Sequence, residues 1–137
     1  GKDGKLLIGV DLKKDSSLLD AAYNDAAGVT ADFNRNLLLR IQNELNADLD
    51  REGFDHHAFY NEEQGRIEMH LISRSEQVIR VGEAVVRLAP DESIHTENSY
   101  KYSRDEFARL ANQAGFEVDQ VWTDADALFS VQLCSVT

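Results

Sequence analysis

The stretch Lys5–Leu12, with the sequence KLLIGVDL, decides the fold class of this chain. It is a nearly continuous apolar run of strand length that ends on a carboxylate, Asp11, and a leucine. Such runs are typical of strands buried in the parallel sheets of α/β proteins. Ligands gather at the carboxyl ends of strands in open α/β sheets, although Asp11 equally fits a capping or turn role. The sequence therefore predicts an α/β fold that begins with a buried strand.

The composition excludes several classes of protein. The chain has 137 residues and a formal net charge of −11, and Cys134 is its only cysteine. The length suits one ordinary domain, and the acidic charge repels phosphate backbones and anionic membranes, which argues against a nucleic-acid partner. The sequence contains no apolar run of membrane-spanning length, no signal peptide and no pair of cysteines for a disulfide. We therefore expect a cytoplasmic protein without membrane contact.

Apolar spacing predicts helices on both sides of the middle of the chain. A short helix is expected over Leu18–Asn24, with Tyr23 near its end, and a long helix over Ala31–Asn46, capped by Thr30. A third helix follows Ser103, which forms a capping box with Glu106. The long helix is expected to bury Phe33, Leu37, Ile41 and Leu45, with Leu38 beside them, and the third helix Phe107, Leu110, Ala111 and Ala114.

Between these helices the apolar pattern has a period of two, which predicts strands. The segment Leu49–His57 is expected to be part loop and part helical turn, and the strands to form one antiparallel sheet of about three or four members. The predicted strands are Arg66–Arg74, Gln77–Val81, Ala84–Leu88 and the polar stretch Ala89–Tyr102. Two further strands, Glu117–Thr123 and Leu128–Val136, close the chain.

The polar stretch is the main candidate for a binding site. A strand there puts Glu97 and Ser99 on one face and Thr96 and Asn98 on the other. A carboxylate and a hydroxyl at that spacing can hold a small polar ligand, and a solvated edge strand is the alternative.

Metal and nucleotide sites are not expected. The adjacent histidines His56 and His57 point apart in either a helix or a strand, and His70 and His95 stand alone in separate strands. No glycine-rich nucleotide loop occurs in the sequence.

Several segments of the chain together resemble one enzyme family. They are Gly9–Asp15, Ala22–Asp25, Gly28–Asn36, Arg66–His70 and Thr96–Tyr102. These segments resemble the carboxyl-terminal part of the histidine-specific, S-adenosylmethionine-dependent methyltransferases of ergothioneine biosynthesis. The resemblance implies the carboxyl-terminal portion of a class I (Rossmann-like) methyltransferase core with an inserted α+β substrate-binding domain. Residues 1–15 would be a core strand, residues 16–102 the insert, and residues 103–137 the return to the core as a helix and two strands.

The resemblance also implies roles for individual residues. Tyr23 matches the tyrosine that holds the substrate carboxylate, Glu97 and Ser99 match the pair that reads the imidazole ring with Asn98 between them, and Met69 matches a methionine beside the ring. The implied reaction transfers three methyl groups to the α-amino nitrogen of L-histidine, which gives hercynine. The S-adenosylmethionine motifs of the family would lie upstream of this chain.

We therefore interpret the chain as a fragment of an enzyme that is inactive by itself and carries most of the amino-acid pocket. Three other interpretations remain open. One is an amino-acid-binding module without methyl transfer, and another is a methyltransferase that acts on a different amino acid or small amine. The third is an interaction protein, because unpaired sheet edges favour dimerisation.

Overall fold

A computed structural model describes residues 3–137, so the first two residues of the predicted core-strand segment 1–15 lie outside the described residues. The described residues form three α-helices, eight strands and a short 3₁₀ helix over Arg51–Gly53. The α-helices are α1 (Ser16–Tyr23), α2 (Val29–Leu45) and α3 (Arg104–Gln113). The strands are β1 (Lys5–Asp11), β2 (Phe54–Asn61), β3 (Arg66–Ser73), β4 (Gln77–Val81), β5 (Ala84–Leu88), β6 (Ser93–Tyr100), β7 (Phe116–Thr123) and β8 (Phe129–Val136). The mixed α/β character predicted from the sequence is confirmed.

The chain divides into two compact units. The first contains residues up to 15, residues 62–66 and residues 100–137, and the second contains residues 16–61 and 67–99. In the part of the chain that the structure describes, no helix is long and apolar enough to cross a membrane.

The first unit is built on the sheet β1-β8-β7, in which β8 is central and both pairings are antiparallel. Helix α3 packs on one face of this sheet, where Val10 and Cys134 meet Phe107 and Ala111 in a buried cluster. The predicted capping box is confirmed, because the hydroxyl of Ser103 accepts from the backbone N–H of Glu106 and the Glu106 carboxylate accepts from that of Ser103.

Two burial predictions in this unit are wrong. Strand β1 lies at the edge of its sheet, and Leu7 on it is 64% exposed, whereas the sequence predicted burial on both faces. In α3, Leu110 and Ala114 are exposed, and the buried residues are Phe107 and Ala111. A strand or helix of this composition is buried only where other elements cover it, and the covering elements here contact one side only.

The second unit contains α1, α2, the sheet β2-β3-β6 and the separate hairpin β4-β5. The prediction of one continuous sheet is wrong, because β4 and β5 form a separate two-stranded sheet and β2 takes a place in the sheet with β3 and β6. Strand β2 begins at Phe54, inside a segment predicted to be part loop and part helical turn. The polar residues of this segment do not show the apolar pattern that predicts a strand. Phe54 itself is fully buried in the core cluster with Leu38 and Leu71.

Helix α2 differs from its prediction at its start and on its buried face. Gly28, with a φ of 74°, precedes the helix in place of the predicted cap Thr30, and the carboxylate of Asp25 accepts from the backbone N–H groups of Val29 and Thr30. The buried residues are Asn34 and Leu38. Among the residues expected to be buried, Phe33 and Leu45 are instead 64% and 54% exposed.

Candidate functional site

Tyr23 is positioned by the end of α1, which is hydrogen-bonded to β2. The side-chain amide of Asn24 donates to the carbonyl of Ala58 at 2.9 Å, and its oxygen accepts from the backbone N–H of Ala58 at 3.3 Å. One turn earlier, the carboxylate of Asp20 accepts from the backbone N–H of Tyr60 at 2.8 Å. These side chains use backbone groups along one stretch of β2, so the last turn of α1 has a fixed place on the sheet.

The phenol of Tyr23 reaches strand β6. Its oxygen lies 2.8 Å from the Oγ of Ser99, and either hydroxyl can be the donor. The Tyr23 ring packs against the buried cluster that contains Ile67 and Met69. The structure therefore brings together three residues that the sequence predicted for one site, Tyr23, Met69 and Ser99.

A cavity of about 190 Å³ lies between α2 and the sheet of the second unit. Its lining residues are Phe33, Asn34, Asn36, Leu37, Arg40, Met69, Thr96 and Glu97. The volume is below the roughly 300–1,000 Å³ of pockets for drug-sized ligands, and suits a single amino-acid side chain. Of the three residues predicted to contact an imidazole ring, Met69 and Glu97 line this cavity, and Ser99 is not among its lining residues.

Strand β6 departs from regular alternation at this cavity. Thr96 and Glu97 are consecutive, yet both are half-buried and both line the cavity. The regular alternation of buried and exposed residues is therefore interrupted at this pair. After it, Ser99 is half-buried and Asn98 is exposed. The structure does not bring Asn98 to the cavity lining.

Sequence reasoning missed Phe33 as a residue of this cavity. A phenylalanine at helical spacing was assigned to the core, yet its ring is 64% exposed and lines the cavity beside Met69. The available signal was its position one turn after the start of α2. A helix needs only one apolar face for packing, so an apolar residue outside that face can line a site.

Sequence reasoning also missed a group of histidines on the sheet. The rings of His70 and His95 stack with their centroids 4.5 Å apart, although the sequence places them in separate strands. Glu68 joins them, with its Oε2 3.4 Å from the Nε2 of His70. The atoms of the three side chains that could bind a metal ion lie within 4.8 Å of one another. Strand pairing creates this group, and sequence spacing carries no sign of it.

Two groups that could contact a charged cofactor such as S-adenosylmethionine have partners within the chain. The carboxylate at the end of β1, Asp11, is paired with Lys14 and Lys101. Burial alone would raise the pKa of Asp11, but the two ammonium groups hold it below its usual value. The amides at the start of α2, which could hold a ligand carboxylate, are occupied by Asp25. We therefore derive no step through this cofactor from the residues of this chain.

Comparison with known proteins places the chain in a family. Residues 1–136 match the family described as histidine-specific, SAM-dependent methyltransferase. The chain belongs to this family. The predicted resemblance is thereby confirmed, and the family is one whose members use S-adenosylmethionine.

Curated members of the family resemble the chain along most of its length. It is 42% identical over 130 residues to the histidine N-alpha-methyltransferase of Mycolicibacterium smegmatis, covering 93% of this chain and 40% of that protein. It is 39% identical over 132 residues to the histidine N-alpha-methyltransferase of Mycobacterium tuberculosis, covering 95% of this chain and 41% of that protein. It is 32% identical over 138 residues to the ergothioneine biosynthesis protein 1 of Neurospora crassa, covering 90% of this chain and 14% of that protein. The chain thus spans about 40% of the length of the two bacterial relatives.

Proposed function

We propose that this chain supplies the amino-acid pocket of an S-adenosylmethionine-dependent histidine Nα-methyltransferase, which converts L-histidine to hercynine in ergothioneine biosynthesis. The observation that carries the proposal is the hydrogen bond between Tyr23 and Ser99, beside a cavity lined by Met69 and Glu97. Together with family membership, this arrangement favours an α-amino acid whose ring carries both a donor and an acceptor, as imidazole does.

Each side chain has a chemical role in the proposed pocket. Glu97 accepts an imidazole N–H, and Ser99 bonds the other ring nitrogen. Tyr23 donates to the substrate carboxylate, and the thioether of Met69 packs on the flat ring. Asn98, which is exposed, lies between the two ring-reading residues without a direct contact in this proposal. A ring without nitrogen atoms would offer Glu97 no N–H to accept, which is the basis of selectivity.

The sheet of the first unit supports the finer assignment of the fold. Helix α3 covers one face, whereas the other face carries exposed apolar side chains, including Leu7, Trp122, Phe129 and Val131. An exposed apolar face of this kind marks a surface that another element covers, and among the described strands β1 pairs only with β8. We therefore assign residues 1–15 and 103–137 to a class I methyltransferase core and residues 16–102 to the inserted substrate-binding domain. We assign the S-adenosylmethionine site to the part of the protein outside this chain.

The test is a steady-state comparison of amino acids with the full-length protein. We expect methyl transfer from S-adenosylmethionine with kcat/KM for L-histidine at least tenfold above that for L-phenylalanine, because a polar group that loses its partner in the pocket costs about 1–3 kcal/mol. Preference for an apolar ring would overturn the assignment of Glu97 and Ser99. Saturable histidine binding without methyl transfer would instead favour the amino-acid-binding module.

A further inference from the structure

Asn34 is a polar residue in the core of the second unit, where it is 3% exposed. Its Nδ2 donates to the Nδ1 of His56 and to the backbone carbonyl of His70, both at 3.0 Å. Its Oδ1 accepts from the hydroxyl of Thr96 at 2.7 Å. The amide therefore has partners for both of its donor hydrogens and for its oxygen, in a place where an unpaired polar group is costly.

His56 extends this network to the site. Its Nε2 lies 2.9 Å from the backbone carbonyl oxygen of Tyr23. A carbonyl can only accept, so Nε2 carries the hydrogen and Nδ1 is free to accept from Asn34. The contacts with Asn34 and with the Tyr23 carbonyl thus require the same neutral tautomer of His56, with the hydrogen on Nε2. In that tautomer the side chain links the end of α1 to α2.

Thr96 extends the network in the other direction. Its Oγ1 lies 2.7 Å from the Oδ1 of Asn34 and 2.9 Å from the carbonyl oxygen of Met69. Both partners are acceptors, so they share the single hydroxyl hydrogen. Thr96 immediately precedes Glu97, and both line the cavity. One continuous network therefore runs from the backbone of Tyr23, through His56, Asn34 and Thr96, to the backbone of Met69.

We infer that Asn34, His56 and Thr96 are positioning residues, which set the separation between the phenol of Tyr23 and the carboxylate of Glu97. This inference rests on the proposed function, in which these two groups hold opposite ends of the amino acid. The network contacts backbone atoms of Tyr23 and Met69, and Thr96 directly precedes Glu97, so it sets the geometry of the pocket through the backbone of the binding residues. A fixed separation selects amino acids by the distance from their carboxylate to their ring.

The cleanest variant pair is at Thr96. Thr96→Val keeps the branched shape and removes the hydroxyl, whereas Thr96→Ser keeps the hydroxyl. In the full-length protein, Thr96→Val should raise the KM for histidine about three- to tenfold, as the loss of a neutral hydrogen bond predicts, with the KM for S-adenosylmethionine unchanged. Thr96→Ser should recover most of the wild-type KM.

A second pair tests the other arm of the network. His56→Phe keeps a ring and removes both hydrogen bonds, so it should raise the KM for histidine in the same way. His57→Phe is the matched control, because His57 is exposed and stacks on Phe59, and it should leave this KM unchanged.

The outcomes separate the inference from the proposed function. If wild-type protein methylates histidine but Thr96→Val and His56→Phe keep the wild-type KM for histidine, or lower only kcat for every substrate, the network is structural and the inference fails alone. If one variant does not fold, the other pair decides by the same criterion. If the wild-type protein neither binds nor methylates histidine, the proposed function fails and the inference fails with it.

Discussion

The phenol oxygen of Tyr23 lies 2.8 Å from the Oγ of Ser99, although the two residues are 76 positions apart in the chain. In the proposed pocket these hydroxyls hold different parts of the substrate, Tyr23 its carboxylate and Ser99 its ring. Each hydroxyl is a hydrogen-bond partner of the other. Histidine therefore has to replace or share this hydrogen bond, which links occupation of the carboxylate end to occupation of the ring end.

Tyr23→Phe removes this hydroxyl and little volume. The lost bond to a charged carboxylate is worth about 1.5–3 kcal/mol, so the Kd for histidine in the full-length protein should rise about ten- to a hundredfold. Selectivity between side chains should barely change, because every α-amino acid has the carboxylate. Calorimetric titration measures the Kd, with Tyr60→Phe as a control in the same cluster. An unchanged Kd for Tyr23→Phe would make Tyr23 a packing residue.

Glu97→Ala should act on selectivity. Glu97 pairs with a ring N–H that histidine offers and phenylalanine lacks, so kcat/KM should fall far more for histidine than for phenylalanine. Competition kinetics with both amino acids measure the ratio directly. Asn98→Ala, at the exposed neighbour, is the matched control and should leave the ratio unchanged. Equal losses on both substrates would show that Glu97 is structural.

Glu106 predicts a pH dependence of stability. The hydrogen bond from Lys13 and that from the backbone of Ser103 lower the pKa of Glu106 to about 2. A carboxylate whose folded pKa is depressed stabilises the fold above its unfolded pKa, and this contribution is lost as pH falls from about 5 to about 2. Urea unfolding should therefore show wild type more stable than Glu106→Gln at pH 7, with the two curves converging near pH 2. The side chain of Glu106 is 34% exposed, so the difference in unfolding free energy between wild type and Glu106→Gln is expected to be modest. A difference in unfolding free energy that stays constant with pH would contradict the lowered pKa of Glu106.

Strand β1 lies at the edge of its sheet and pairs only with β8 among the described strands, which predicts self-association of the 137-residue chain when it is produced alone. Leu7→Lys puts a charge on this edge strand and should shift the chain towards monomer in sedimentation velocity. Leu18→Lys introduces the same charge at a leucine of α1 that is 53% exposed, and should have no such effect. A wild-type chain that stays monomeric, or equal effects of both variants, would contradict association through β1.

Features set by neighbours in sequence were predictable. The capping box at Ser103 and Glu106 depends on groups three residues apart, and β1 and α3 follow from their apolar runs. Tyr23, Met69, Glu97 and Ser99 were predicted for one site through the resemblance, since no local pattern joins residues this far apart in the chain.

Features set by tertiary packing were not predictable. Residues repeated every four positions drift by about 40° per step around a helix, so Phe33 and Leu45 do not share one face. The buried position beside them is Asn34, which hydropathy assigns to the surface and which the network to His56 and Thr96 keeps inside. The stacking of the His70 and His95 rings likewise depends on the pairing of β3 with β6.

The most direct test of the central claim is to locate the transferred methyl groups. The full-length protein is incubated with L-histidine and S-adenosylmethionine carrying a ¹³C-labelled methyl group, and the product is examined by NMR. If Glu97 and Ser99 hold the ring while the α-amine is exposed to the cofactor, the labelled carbons should correlate with the α-carbon, and the final product should carry three of them on one nitrogen. Methyl groups on the imidazole ring, or no labelled histidine, would contradict the account.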